Sequence, residues 1–141
     1  MWPAAVKYSE EDRAMKDVFP VDGPKPNGHY VPGMVSHGMV YVSGQLPFDP
    51  KTGKLPDGGI RAQMKQALKN VESVIKAAGS DMDCVVQCRI YIPDVKYWDD
   101  VNDVYASFFG AHRPARVVVP SSELHRGALC EIEAVAEIPE A

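Results

Sequence analysis

Arg116 carries more chemical information than any other residue of this sequence. It follows Pro114-Ala115 and opens an apolar run, Val117-Val118-Val119. A guanidinium set among aliphatic side chains must meet an anion or reach water, because an unpaired buried charge is costly. Two arrangements satisfy it. One is a structural ion pair, with Glu131 or Glu133 as partner. The other is a bidentate clamp on a carboxylate ligand, which the planar fork of an arginine favours. The ion pair is the commoner fate of such an arginine, and spacing alone leaves both open. Glu131 and Glu133 share one side of the alternating run 129–138. They are plain exposed carboxylates, or Glu131 is a base holding a water for attack inside a cleft. Ser43-Gly44 offers a hydroxyl and an approachable backbone N–H, but a strand end or bulge accounts for the same pair. Asn102, between Val101 and Val104, is a helix-surface amide or a polar contact to a ligand. Tyr30 is core or the lid of a pocket.

Other chemistries find little support. The sequence has no P-loop, GxGxxG, GxSxG or HExxH. His29, His37, His112 and His125 have no i, i+4 partner, so no metal site is expected. Cys84 and Cys88 are four apart, a spacing that does not converge on a strand, and they read as thiols of the interior. Three cysteines without a CxxC argue against a disulfide framework and for a reducing cytoplasm.

The frame for these residues follows from size and pattern. With 141 residues, 45% hydrophobic and 24% charged, the chain suits one globular domain. A net charge of −4 gives no basic field for a phosphate backbone, which disfavours nucleic acid as a partner. No apolar stretch approaches the ~20 residues of a membrane span, and the start has no apolar signal core. Residues 1–29 read as a lead-in: a short helix capped by Ser9 with Asp12 three residues on, stopped by Pro20, then the linker VDGPKPNG. Residues 30–141 read as one domain. A strand from Tyr30 to Ser36, a turn at His37-Gly38 and the alternating run 39–45 predict a hairpin. Met64, Leu68, Val71, Ile75 and Ala78 form one stripe of a helix over 60–78, ended by Gly79. Strands follow at 85–92, 115–119 and 129–138, with a helix carrying Trp98, Val101, Val104, Tyr105 and Phe108 between the first two. In the first of these strands Val86, Cys88, Ile90 and Ile92 are expected on one side. Two amphipathic helices cover only one face of such a sheet. The other face is expected to carry Tyr41, Gln87, Arg89, Tyr91, Arg116, Glu131 and Glu133, a mixed aromatic surface suited to packing against further copies of the subunit.

The block SGQLPFDPKTGKLPDGGIRAQMKQALKNVESVIKAAGS, followed in order by VNDVYASFF, RPARVVV and ALCEIEAVA, resembles the YjgF/Rid family. These are the reactive intermediate deaminases, RidA-like proteins also called endoribonuclease L-PSP. The likeness runs from about Gly28 to Ile138. It implies an α+β subunit of the chorismate-mutase-like kind, a mixed sheet with two helices on one face, forming a homotrimer with clefts between subunits. The implied activity is hydrolysis of enamines and imines of the 2-aminoacrylate type to 2-oxo acids and ammonia, with neither metal nor cofactor. The enzyme would be a 2-iminobutanoate/2-iminopropanoate deaminase-like hydrolase acting on C–N bonds, linked in function to the pyridoxal-phosphate dehydratases that make such intermediates. By the same resemblance the carboxylate-binding arginine is Arg116 and the water-positioning glutamate Glu131. Tyr30, Ser43, Gly44, Asn102 and Val118 are the other substrate contacts. Val118 departs from the pattern, since many members carry Cys or Thr there, and this bears on substrate choice. The alternatives are a non-catalytic relative that binds small carboxylates or proteins, an RNA-cleaving or translation-inhibiting relative, and a chorismate-mutase-type isomerase. The last wants several cations around a dicarboxylate, where only Arg116 and Arg89 are on offer.

Overall fold

The structure, a computed structural model, describes residues 9–140, without the side chains of Asp12 and Arg13. Residues 1–8 of the lead-in, and the expected partnership of Ser9 with the Asp12 side chain, therefore lie outside the described residues. The elements run α1 (Glu10–Arg13), β1 (Lys16–Val18), β2 (Gly33–Ser36), β3 (Met39–Gln45), α2 (Gly59–Ala77), β4 (Val85–Ile92), α3 (Trp98–Phe109), β5 (Ala115–Pro120) and β6 (Glu131–Glu137). Among the described residues the strands form one six-stranded sheet in the order β1-β2-β3-β6-β4-β5, an α+β architecture. Only β4 and β5, joined through α3, run parallel; the other neighbours are antiparallel.

Local sequence explains most of these elements. Ser36 faces Met39 across a two-residue loop, and both His37 (φ 51°) and Gly38 (φ 73°) take positive φ, as the tight hairpin turn requires. Helix α2 ends where Gly79 adopts φ 85°: its N–H donates to the Lys76 carbonyl and the Ser80 N–H to that of Ile75, closing a Schellman cap. The α2 stripe Met64, Leu68, Val71 and Ile75 is buried against Val40, Cys88, Ile90, Ile132 and Ala134 of the sheet. Helix α3 adds Val101, Tyr105 and Phe109 to the same core. Among the described residues no helix is long and apolar enough to cross a membrane.

Four expectations are corrected. The lead-in helix is a single turn that ends well before Pro20, and Lys16–Val18 joins the sheet edge beside β2. Tyr30 and Val31 do not belong to β2, because Pro32 has no N–H for the ladder and the strand starts after it. The register of β4 against β6 shifts between Val85 and Gln87, so Val85 is buried and Val86 exposed, a reversal that a bulge produces. The fourth concerns Arg116. It pairs with Cys88, and residues directly opposite in a ladder share a face, so Arg116 sits on the helix-covered side at the sheet edge. It is not on the open face with Tyr91, Glu131 and Glu133.

Candidate active site

The seven candidate residues fall into two groups. The first surrounds Arg116 on edge strand β5. Its Nη1 donates to Asn102 Oδ1 at 2.9 Å, from the flank of α3. Its guanidinium lies 4.7 Å from the Tyr105 ring centroid and 5.6 Å from that of Trp98. Two aromatic faces and a neutral amide orient the fork without neutralising it. Among the described residues no carboxylate pairs with Arg116; Glu133 is taken by Arg89 at 3.6 Å and by the Tyr91 hydroxyl at 2.6 Å. The ion-pair reading of Arg116 is thereby removed. Val118, two residues on, points the same way and packs against the core opposite Ile90. Beneath the arginine, burial pushes the Cys88 thiol up to about 11. The buried Tyr105 hydroxyl has no hydrogen-bond partner of ordinary geometry among the described residues.

The second group surrounds Glu131 at the start of β6. The ladder between β3 and β6 shifts register between Val42 and Gln45, so Ser43-Gly44 is a bulge. Gly44 has no positive φ; its constraint is space. A Cβ there would fall inside the contact radius of Glu131 Oε1 and lie 3.1 Å from its Cδ. The bare glycine is what lets the Glu131 carboxylate rest on β3. The Ser43 hydroxyl donates to the Val31 carbonyl at 2.6 Å and the Ser43 N–H to that of Pro32 at 2.9 Å, which pins the segment carrying Tyr30. Glu131 is half-buried, and desolvation first, then the neighbouring Glu133 charge, raise its pKa above the ordinary carboxyl value; His125 opposes the shift. Tyr30, 47% exposed, and Gly44 both line a cavity of about 530 Å³. The lid alternative for Tyr30 is the one this placement matches.

Within one chain the two groups do not meet. β4 lies between β5 and β6, which puts roughly 10 Å of sheet between the strands carrying Arg116 and Glu131. The two side chains also leave opposite faces, since Glu131 is opposite Tyr91 and Arg116 opposite Cys88.

Several supporting residues had no signature in the sequence. Asn70, 1% exposed on α2, donates to the carbonyls of Leu46 (2.9 Å) and Phe48 (3.0 Å), and accepts from Gln66 at 2.9 Å. It holds the loop that forms one cavity wall. Its place at helical spacing between the apolar Ala67 and Val74 of α2 was the available clue. Trp98 and Tyr105 were visible as stripe residues, but their stacking on Arg116 follows only from packing α3 beside β5.

Comparison with known proteins places this geometry among relatives. Residues 21–138 match the family described as endoribonuclease L-PSP. The chain is similar to the RutC family protein PH0854 of Pyrococcus horikoshii, 39% identical over 123 residues covering 86% of this chain and 98% of that protein. It is 38% identical over 109 residues to the human 2-iminobutanoate/2-iminopropanoate deaminase, covering 77% of this chain and 80% of the other. Among solved structures, the YjgF gene product of E. coli superposes with a TM-score of 0.84 at 34% identity, over 88% of this chain and 99% of that one. TdcF of E. coli with bound serine does so at 0.83 and 32%, over 86% and 98%.

Proposed function

The chain belongs to the endoribonuclease L-PSP family, the YjgF/Rid proteins, and from that premise we propose that it hydrolyses 2-imino acids to 2-oxo acids and ammonia in clefts between subunits. The carrying observation is the split of the candidate residues into two halves on opposite faces of one sheet, one cationic and one carboxylate. A single chain presenting two different, complementary patches makes heterologous contacts, which close into a ring when the rotation permits. In a trimer each cleft receives Arg116, Asn102 and Val118 from one subunit and Tyr30, Gly44 and Glu131 from its neighbour. The exposed Tyr41, Val86 and Val117 are apolar area that such contacts would cover. The deaminase name of the human relative and the serine bound to TdcF support a small, carboxylate-bearing ligand.

The chemistry follows from the groups. Arg116, already oriented by Asn102 and two rings, grips the substrate carboxylate and fixes C2 in the cleft. 2-Aminoacrylate tautomerises to 2-iminopropanoate, whose protonated C=N is electrophilic at carbon. Water adds through oxygen to C2 while Glu131 accepts its proton. Its raised pKa brings this carboxylate closer to the operating pH, where a general base is most effective. Protonated Glu131 passes the proton to nitrogen, the C–N bond breaks as the carbinolamine hydroxyl returns its proton to Glu131 and its oxygen lone pair forms the C=O, and ammonia leaves with pyruvate. Val118 adds only apolar contact beside Arg116.

The test generates 2-aminoacrylate with a dehydratase and follows its loss with wild type, Arg116→Ala and Glu131→Ala. Both variants should lose nearly all acceleration, and mixing the two variants should restore part of it, because mixed rings contain clefts with both intact halves. Equal loss rates with and without wild-type protein would refute the deaminase reading. A light-scattering mass of 15.5 kDa at micromolar concentration would refute the intersubunit cleft.

A further inference from the structure

The cavity beside Gly44 is larger than the proposed reaction needs. Its volume of about 530 Å³ lies within the range that accommodates drug-sized ligands, several times what a three-carbon imine fills. Its lining includes the His125-Arg126 corner of the loop before β6. Arg126 is one of two described non-glycine residues with positive φ (56°), followed by Gly127 at φ 75°. An L side chain in that conformation is disfavoured, and strain of this kind is retained where the side chain contributes something. Here the backbone turns the guanidinium onto the Phe48 ring, 4.3 Å from its centroid, at the cavity edge. Phe48 is itself held by Asn70 through its carbonyl. Among the described residues Arg126 has no carboxylate partner. Lys25 and Lys51 line the same cavity. Of its acidic lining residues, Asp49 turns its carboxylate back onto the Lys51 N–H at 2.8 Å. An oriented cation with no carboxylate partner among the described residues therefore lines the same cavity as Tyr30 and Gly44.

We propose that Arg126 is a second anion-recognition residue and that the preferred substrates are short α-imino dicarboxylates, the α-carboxylate on Arg116 and the distal one on Arg126. The inference rests on the deaminase reading and deepens it by assigning a substrate class. Phe48 holds the fork for bidentate contact as Trp98 and Tyr105 do for Arg116. His125 lines the cavity beside it. The bond-making steps are unchanged; only the C3 substituent is longer and charged.

The experiment compares 2-iminoglutarate with 2-iminobutanoate, generated from glutamate and 2-aminobutanoate by flavin amino-acid oxidases. Hydrolysis is read as ammonia release and as reduced trapping by semicarbazide. Wild type should show the higher kcat/KM on the dicarboxylate. Arg126→Gly should lower the dicarboxylate-to-monocarboxylate ratio at least tenfold, chiefly through KM, without lowering Tm, because glycine accepts the positive φ. Arg126→Lys should retain part of the preference. Turnover of the monocarboxylate with no preference for the dicarboxylate, or a ratio unmoved in Arg126→Gly, overturns the proposal while leaving the deaminase reading intact. Turnover of neither imine by wild type overturns both.

Discussion

Replacing Gly44 by alanine separates catalytic geometry from folding. The new Cβ would overlap Glu131 Oε1 and stand 3.1 Å from Cδ and 3.4 Å from Cγ, where ordinary contact begins at 3.4 Å. The backbone does not object, since Gly44 lies outside the left-handed region. What gives way is the end of a flexible side chain. The carboxylate must withdraw on the order of 1 Å, and a displacement of that size costs about 100-fold in rate, about 2.7 kcal/mol of barrier. Stability should hardly change. Glycine-to-alanine substitution at a compatible site gains about 0.4–1 kcal/mol from the unfolded chain, and an off-rotamer glutamate costs about 0.5–1.5 kcal/mol. Arg116, in the other group, still holds the substrate carboxylate. The expected outcome is a kcat on 2-aminoacrylate lower by about two orders of magnitude, with KM nearly constant and the thermal midpoint close to wild type. The assay is dehydratase-coupled loss of 2-aminoacrylate beside thermal denaturation. Activity within about threefold of wild type, less than 1 kcal/mol of barrier, would refute the placement of the base against β3. A fall in activity matched by a fall in midpoint would refute the separation of chemistry from stability.

Three more outcomes follow from the structure. Burial and the Glu133 charge raise the Glu131 pKa, so the acidic limb of kcat/KM should lie above the ordinary carboxyl range, and Glu133→Gln should move it to lower pH; an unmoved limb would show that Glu133 does not act on the base. The same raised carboxyl favours the folded state when protonated, so its contribution is present at low pH and lost as pH rises through the raised value, the reverse of a salt-bridged acid. Asn70→Ala leaves the Leu46 and Phe48 carbonyls without their donor, which should cost about 2–4 kcal/mol in urea denaturation after a small gain in helix propensity; a change below about 0.5 kcal/mol would mean that water replaces the amide.

Apart from β1 at the sheet edge, the elements were legible in the sequence because each rests on local periodicity or a local stop. The α2 stripe and the glycine that caps it, the His37-Gly38 hairpin, and the alternation of β6 need only neighbours within a turn or a ladder pair. The same is true of the family, whose signature is a pattern of residue types along the chain. What failed was the choice of face at Arg116 and at Val86, whereas Tyr91, Glu131 and Glu133 do lie on the side away from buried Ile90, Ile92 and Ile132, as expected. An alternation identifies two sides of a strand but not which one the helices cover, so Arg116 was set on the open face although its pairing with Cys88 turns it toward α3. A bulge changes the assignment midway along a strand, as at Val86, and no residue type announces it.

The amino-acid order by itself determined the α+β elements, the apolar core and the set of seven candidate residues, because periodicity and residue chemistry are one-dimensional properties. Tertiary structure alone decided that Arg116 is oriented by Asn102, Tyr105 and Trp98 and carries no ion pair among the described residues, that Glu131 rests on a bare Gly44, and that the two stand on opposite faces of one sheet. Those facts depend on strand order and register. They arise from contacts between segments far apart in sequence, where the burial of many side chains at once, and not any local preference, selects the arrangement.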